Sequence, residues 1–479
     1  MQQRRLTGLA LFTVLSLAIT ACGGAGTTSA PTSGTPASAP TGSEPPGSEP
    51  GSSQSAGGAE ISGEIEIGAK LADADEVATS RYDLFESMYP DVGVTFTEAD
   101  FDPATFLASV QAGNPPDVVR LDRAVLGTYV ANGALEPLDT CITDFSIDMS
   151  QYREAAVAAV TMDGQVYGIP ESNDSRIILI NDSVLEAADL TPEDIDTSDW
   201  EALSAVNEQL LQADGGDITR IGFDPKLPEF LPLWAAANGT TIISDDGLTS
   251  NLDDPLVAEA LDYAVSLITA HGDAPTFTDF KTNGPGGVDF FGAENQFAAD
   301  TVGAFPMEQW YLNVLGDVSP DEGISFMPFK DRQGNNITFG TGSSLVIPAT
   351  ADNKEAACEY IKVVTSPDAW HAAAQARADI RAESGEAFTG VYTANRIADE
   401  RNFAEFVSEE SAGAYYPGVQ LVLEVVDNAI TLPPNAAGEE FTRIWQEAVQ
   451  RVLNEGVSAQ EALADADSEA QSAIDAAQP

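Results

Sequence analysis

The chain has 479 residues, 43% of them hydrophobic, which is enough for two or three domains with covered cores. Its 21 Lys+Arg against 76 Asp+Glu give a formal charge of -55, which repels phosphate backbones and anionic lipid heads alike and excludes nucleic acid as a partner. The three cysteines, Cys22, Cys141 and Cys358, have no metal-ligand spacing, so neither a metal nor a cofactor is expected.

Residues Met1 to Ala21 carry Arg4 and Arg5, then the apolar run Leu9 to Ile19, then small residues, the layout of a secretory signal peptide over 1–21. The apolar run is too short for a permanent membrane span. It ends in Ile19-Thr20-Ala21-Cys22-Gly23, which resembles the bacterial lipobox, and the resemblance implies that Cys22 is diacylated and becomes the mature N-terminus. From Gly23 to Gly58 the composition collapses to Gly, Ser, Thr, Pro and Ala, with Glu44 and Glu49 the only charges. Such a segment buries too little apolar surface to order itself, so 22–60 reads as a flexible linker on a lipid anchor.

Ordered structure is expected from Ile61. Gly63 to Gly68 alternates as a strand, Asp75 to Met88 has helical spacing, and Val92 to Thr97 is a strand. The unit repeats: Asp102 caps, Pro103 opens a helix, Gly113 closes it, and Asp117 to Leu121 is a buried strand. Strand, helix, strand at this spacing predicts right-handed crossovers and a parallel sheet. Asp163-Gly164 is a hairpin turn, Gln165 to Ile169 a strand stopped by Pro170, and Arg176 to Asn181 a nearly apolar strand. Between those strands stand Glu171, Ser172, Asn173, Asp174 and Ser175, which are costly to bury unless they face a cleft or satisfy one another.

Further on, Asn181 to Leu190 reads as a helix, and a Ser198/Glu201 capping box opens another at Trp200. Ile218 to Phe223 is a strand, and Leu227 to Pro232 leads into a helix from Leu233. Asp254 and Pro255 open a helix ending at His271, which is expected at the surface. Gly323 to Phe329 and Ile337 to Pro348 read as strands, the second carrying Gly340-Thr341-Gly342, where backbone can approach a ligand or bend at a hinge. The remainder is helical over 394–410, 417–430, 439–453 and 458–476. No phosphate loop is present in the sequence.

The runs A-S-V-Q-A-G-N-P-P-D-V-V-R-L-D, N-G-A-L-E-P-L-D, D-G-Q-V-Y-G-I-P, F-F-G-A-E-N-Q-F through Trp310, and N-K-E-A-A fall in an order that resembles the family-1 extracellular solute-binding proteins of ABC importers. The resemblance implies an α/β, two-lobed periplasmic-binding-protein-like fold, each lobe a mostly parallel sheet flanked by helices, joined by a hinge of crossing strands. Lobe 1 would take 61–175 and 346–379, and lobe 2 would take 176–345 and 380–479. It implies a monomer that captures a solute, most often an oligosaccharide, and delivers it to ABC permease subunits without catalysis, outside the cell membrane and touching it only through the lipid.

Cleft residues implied by the same resemblance are Asp122 at a strand end, Glu171, Asn173 and Asp174 in the polar stretch, and Phe230 in a loop. To these it adds Trp310 under a sugar ring, Thr341, Tyr415 and Tyr416. Asp122 is equally suited to capping the helix after it. Glu308-Gln309 departs from the family, which has small residues there. Scarce basic residues in this set argue against phosphorylated solutes. The resemblance assigns Cys141 and Cys358 to one lobe, as a disulfide or as buried thiols. The rival classes are a surface glycosidase with paired carboxylates and a signalling receptor. Against a hydrolase stand the absence of G-x-S-x-G and H-E-x-x-H and the presence of only two histidines, His271 and His371.

Replacing Cys22 by Ser should move the protein from the membrane fraction to the medium, as followed by immunoblotting of both fractions.

Overall fold

Two five-stranded sheets, joined by chain segments that cross directly from one to the other, organise the protein. The computed structural model describes residues 61–68, 75–97, 101–284 and 289–478, all within one compact unit. The signal peptide, Cys22 and the linker lie outside the described residues.

In the first sheet the strands lie in the order Val92–Phe96, Gly63–Gly68, Val118–Asp122, Ser343–Val346, Ile169–Pro170. The first three are mutually parallel, joined by the helices Glu76–Met88 and Pro103–Ala112. The second helix starts where Asp102 accepts from Thr105 N–H with Pro103 in the first turn, and it stops at Gly113 in the left-handed conformation. In the second sheet the order is Ile324–Met327, Arg176–Asn181, Val302–Glu308, Asp217–Phe223, Gln212–Asp214.

Only Val302–Glu308 with Asp217–Phe223 is a parallel pairing there, so this sheet is mixed where the sequence reading expected mostly parallel strands. The reason is the entry of Arg176–Asn181, which arrives straight from the first sheet without a crossover helix and runs antiparallel to both neighbours.

The expected single strand Ile337 to Pro348 is two strands. Asn336–Phe339 pairs with Phe329–Lys330 and Ala429–Ile430 beside the second sheet, and Ser343–Val346 belongs to the first. Gly340 to Gly342 crosses between them. Gly342 has φ +142, and a Cβ there would meet Ser172 O at 2.3 Å, so only glycine fits. At the hairpin, Asp163 and Gly164 both have positive φ, 53 and 77, as a type I′ turn needs.

Four local expectations are corrected. Asp199, not Ser198, caps the helix Trp200–Leu210, because Ser198 turns back to Asp196. The helix after Asn181 covers only Asp182–Glu186. The expected helix 394–410 is Arg396–Phe406 followed by the short Glu409–Ala412. His271 is buried, accepting from Gly222 N–H and lying 2.9 Å from Leu267 O, and burial lowers its pKa.

The core of the first lobe gathers Ile65, Ile67, Phe85, Val118, Ile169 and Leu345, and that of the second gathers Ile178, Ile180, Phe223, Trp234 and Phe329. Within the first core Cys141 and Cys358 are disulfide-bonded, with Cα atoms 5.7 Å apart and a sequence separation of 217. Protein lacking residues 1–60 should therefore show no titratable thiol when denatured without reductant. Cys358→Ser should lower its unfolding free energy by about 2–4 kcal/mol in urea titrations, through loss of a long loop closure.

Candidate functional site

The five polar residues after Pro170 run antiparallel to the crossing Gly340 to Gly342. Asp174 N–H donates to Thr341 O at 2.9 Å and Thr341 N–H returns to Asp174 O at 3.1 Å, while Glu171 N–H donates to Ser343 O at 2.9 Å. A third passage joins them where Ala394 N–H donates to Glu171 O at 2.9 Å. Arg123, buried beneath, binds both crossings: Nη1 donates to Ser172 O at 2.6 Å and Ser343 O at 2.9 Å, Nη2 to Thr341 O at 2.7 Å and Asn173 Oδ1 at 3.3 Å. Desolvation lowers its pKa to about 10, which leaves it charged at neutral pH. Asp122, just before it, ends its strand and accepts from Ala124 N–H at 2.9 Å as the helix cap.

Around this backbone frame, charges are paired. Buried Glu171 accepts from Arg81 Nη1 at 2.9 Å, Arg120 Nε at 2.6 Å and Ser343 Oγ at 3.0 Å. Burial alone would raise its carboxyl, but Arg81 and Arg120 overcome that and hold it at about 2. Arg176 donates to Glu308 at 2.7 Å and to Phe339 O and Thr341 Oγ1, each at 2.8 Å. Gln309 donates to Asn173 O and Asp174 Oδ1, each at 3.1 Å, and exchanges backbone and side-chain bonds with Ser175 N–H and O. Desolvation raises the pKa of Asp174, with Arg176 and Gln309 acting against it. Asn173 Nδ2 is buried without a partner.

Beside the pairs lies a cavity of about 450 Å³ lined by Arg81, Arg120, Glu171, Trp370 and Tyr392. Arg81 sits 3.9 Å over the Trp370 ring, which fixes its guanidinium as a planar wall. Arg120 donates to Glu171 through Nε and lines this space with a side chain that is 55% exposed. Next to Gln309, Trp310 opens the helix Trp310–Val318 with 37% of its surface exposed.

Of the residues proposed from sequence, Asp122, Glu171, Asn173, Asp174 and Thr341 come together at the crossing, and Trp310 adjoins it through Gln309. Phe230 is buried in the second core, behind the crossing, with the Arg176 guanidinium 5.3 Å over its ring. Tyr415 is also in a core, its hydroxyl donating to Ser319 O at 2.6 Å. Tyr416 lines a separate cavity with Arg153 and Asp399. Aromatics in mixed apolar and polar loops carry no local mark of which way they turn.

Sequence reasoning missed Arg81, Arg120, Arg123, Arg176 and Gln309, and its expectation of scarce basic residues here is overturned. Arg120 had a signal, as the one charged position inside the apolar V-V-R-L run, and Gln309 had another in its departure from the family's small residues. Among the described residues no group of three or more His, Cys, Asp or Glu could hold a metal ion.

Residues 80–394 match the family model for bacterial extracellular solute-binding proteins. The chain belongs to this family. An arabinooligosaccharide-binding protein of Halalkalibacterium halodurans is 23% identical over 44% of this chain and 46% of its own length. A maltotriose-binding protein of Pyrococcus abyssi is 22% identical over 61% of this chain and 60% of its own. The chain thus spans about half the length of the curated relatives it matches, and these relatives are binding proteins rather than enzymes.

Among solved structures, CpMnBP1 with mannotriose bound is similar with a TM-score of 0.67 at 20% identity, covering 85% of this chain and 99% of that one. The GacH receptor of Streptomyces glaucescens gives 0.65 at 17% identity, covering 87% and 99%. These likenesses show the two-lobed solute-binding fold, which places the crossing segments between the lobes.

In this solute-binding protein Glu171→Gln should lower the unfolding free energy by about 3–5 kcal/mol at pH 7, since it leaves two guanidiniums without their buried counter-charge. Because the folded carboxyl is depressed from 4.5 to about 2, its stabilisation is complete above the unfolded value and lost as pH falls through the folded one. The gap between wild type and variant in urea unfolding should therefore close between those two pH values.

Proposed function

We propose that the protein captures a neutral oligosaccharide between its lobes and delivers it to the membrane subunits of an ABC importer, tethered outside the cell membrane by a lipid on Cys22. One observation carries the ligand class: the crossing is lined by charged groups in balance, and Gln309, bonded to it, is followed in the chain by a partly exposed tryptophan. Arg81, Arg120, Arg123 and Arg176 are set against Glu171, Asp174, Asp122 and Glu308, and the pKa of Arg120 is raised by Glu171 first and by Asp174 and Asp122 further off. Such an array leaves no net charge for an ion, but it offers both donors and acceptors, and hydroxyl groups use both. The chain's charge of -55 further disfavours anionic solutes at a distance.

The relatives support this reading, since arabinooligosaccharide, lactose and maltotriose are the ligands in their names. Capture would close the lobes about the paired crossings, the usual motion of a two-lobed binder. A glycosidase reading needs a carboxylic acid poised to protonate a leaving group. Glu171, held ionised by two arginines, cannot be that acid, and whether the partly buried Asp174 could be is decided by the return of intact sugar in the titration below.

Titrating protein that lacks residues 1–60 with maltotriose, mannotriose and arabinotriose should change tryptophan fluorescence with at least one of them and return the sugar intact. Trp310→Ala should weaken that binding by about 1–3 kcal/mol while leaving the fold intact by circular dichroism. Cleavage of the sugar, or binding of a polyamine in place of every saccharide, would overturn the proposal.

A further inference from the structure

We propose that the cavity between the helices Arg396–Phe406 and Tyr416–Val425 is a second ligand site, separate from the crossing, and that it takes a small organic ammonium ion. It stands whatever solute the crossing takes.

The cavity measures about 450 Å³, as large as the one beside Glu171. Its two walls belong to different lobes. Through Ala398 the first helix shares an apolar cluster with Trp370 and with Val77 of the first-lobe helix Glu76–Met88. The second helix buries Val422 and Val425 in the core that holds Ile177 and Leu179 of the second sheet. Between them Phe403, Tyr416 and Leu423 meet in an apolar cluster of their own and line the cavity.

The rest of the lining is charged, and it is one cation short. Arg153, 7% exposed, serves two carboxylates: Nη2 donates to Asp399 Oδ2 at 2.7 Å and Nη1 donates to Asp427. Its Nε is buried without a partner, a donor of the wall left unserved. The other arginine, Arg396, is taken up by Glu400 at 2.6 Å. Three lining carboxylates thus share two guanidiniums. Burial raises the Asp399 carboxyl to about 6 even against Arg153, as befits an acid whose counter-ion is divided. Asp427 has a side chain 61% exposed and is open to a second cation.

An anion would meet the surplus carboxylate. An alkylammonium instead supplies the missing charge to Asp427, lays its hydrocarbon body along Phe403 and Leu423, and finds a ring in Tyr416. Such ions collect around a chain of charge -55, which brings them to the cavity mouth.

The test is calorimetric titration of protein lacking residues 1–60 with choline and with butylammonium, in about 0.5 M NaCl, where diffuse attraction to the acidic surface is screened within roughly 4 Å. At least one of these ions should bind once per molecule, while butanol and butyrate should not bind. Asp427→Asn should weaken the ion about tenfold, the size of one charge-assisted contact. Ala404→Trp, which fills the cavity from an exposed position without altering charge, should abolish binding. Both variants should stay folded by circular dichroism and keep the wild-type affinity for any saccharide the protein binds. Trp310→Ala should bind the ion as wild type does.

No saturable binding of either ion, equal binding of butyrate, or unchanged affinity in Asp427→Asn or Ala404→Trp would overturn the proposal. Loss of ion binding in Trp310→Ala would also overturn it, placing the ion at the crossing and counting against the carbohydrate reading as well. Ion binding that meets these expectations in a protein that binds no sugar would remove the carbohydrate reading alone.

Discussion

Burying five polar residues between two apolar strands is possible only if their partners are buried with them, and Arg123 is the partner on which the crossing depends. Its two terminal nitrogens reach Ser172, Ser343, Thr341 and Asn173, oxygens belonging to two chain segments that run in opposite directions. No neutral side chain offers that many donors in one plane. The carbonyls it serves would otherwise be orphaned where the chain leaves one sheet before joining the other. Both sheets inherit their relative register from this joint, because Pro170, Arg176, Phe339 and Ser343 are all strand ends fixed within a few residues of it.

The aromatic side of the site is tied to the same joint through Gln309. A small residue there could not bond Asn173, Asp174 and Ser175 at once, so the departure from the family's usual composition is a local fastening. It fixes Trp310 at a helix start directly beside the crossing. Glu308, on the preceding residue, reaches Arg176 and completes the pairing of charges. Placement of a partly exposed ring thus follows from two polar neighbours together with its contacts to Tyr311 and Phe291.

Much of the first lobe was legible, because its caps, turns and alternating strands are local signals: Asp102-Pro103, Gly113 and Asp163-Gly164 all do what their chemistry suggests. The break at Gly340 to Gly342 was hidden, since apolar residues continue on both sides and only the pairing partners reveal two strands. The partners of the arginines were hidden for a related reason, even where, as at Arg120, the position itself stood out. Arg120 meets Glu171 from 51 residues away and Arg123 meets Ser343 from 220, and no local pattern records such partners. Asn173 and Asp174 were legible as a polar interruption between apolar strands, while Phe230 and Tyr415 sit in contexts where core and cleft look alike.

The strand Ser343–Val346 lies between Val118–Asp122 and Ile169–Pro170 in the first sheet, yet the whole of the second sheet precedes it in the chain. Emerging from its N-terminus, the first lobe must wait with an open slot in its sheet until the second lobe has been made. Cys141 waits with it, since its partner comes later still. Assembly of the two lobes is therefore one event of high contact order, not two in sequence, and a chain arrested anywhere before Ser343 exposes an unpaired strand edge to its surroundings.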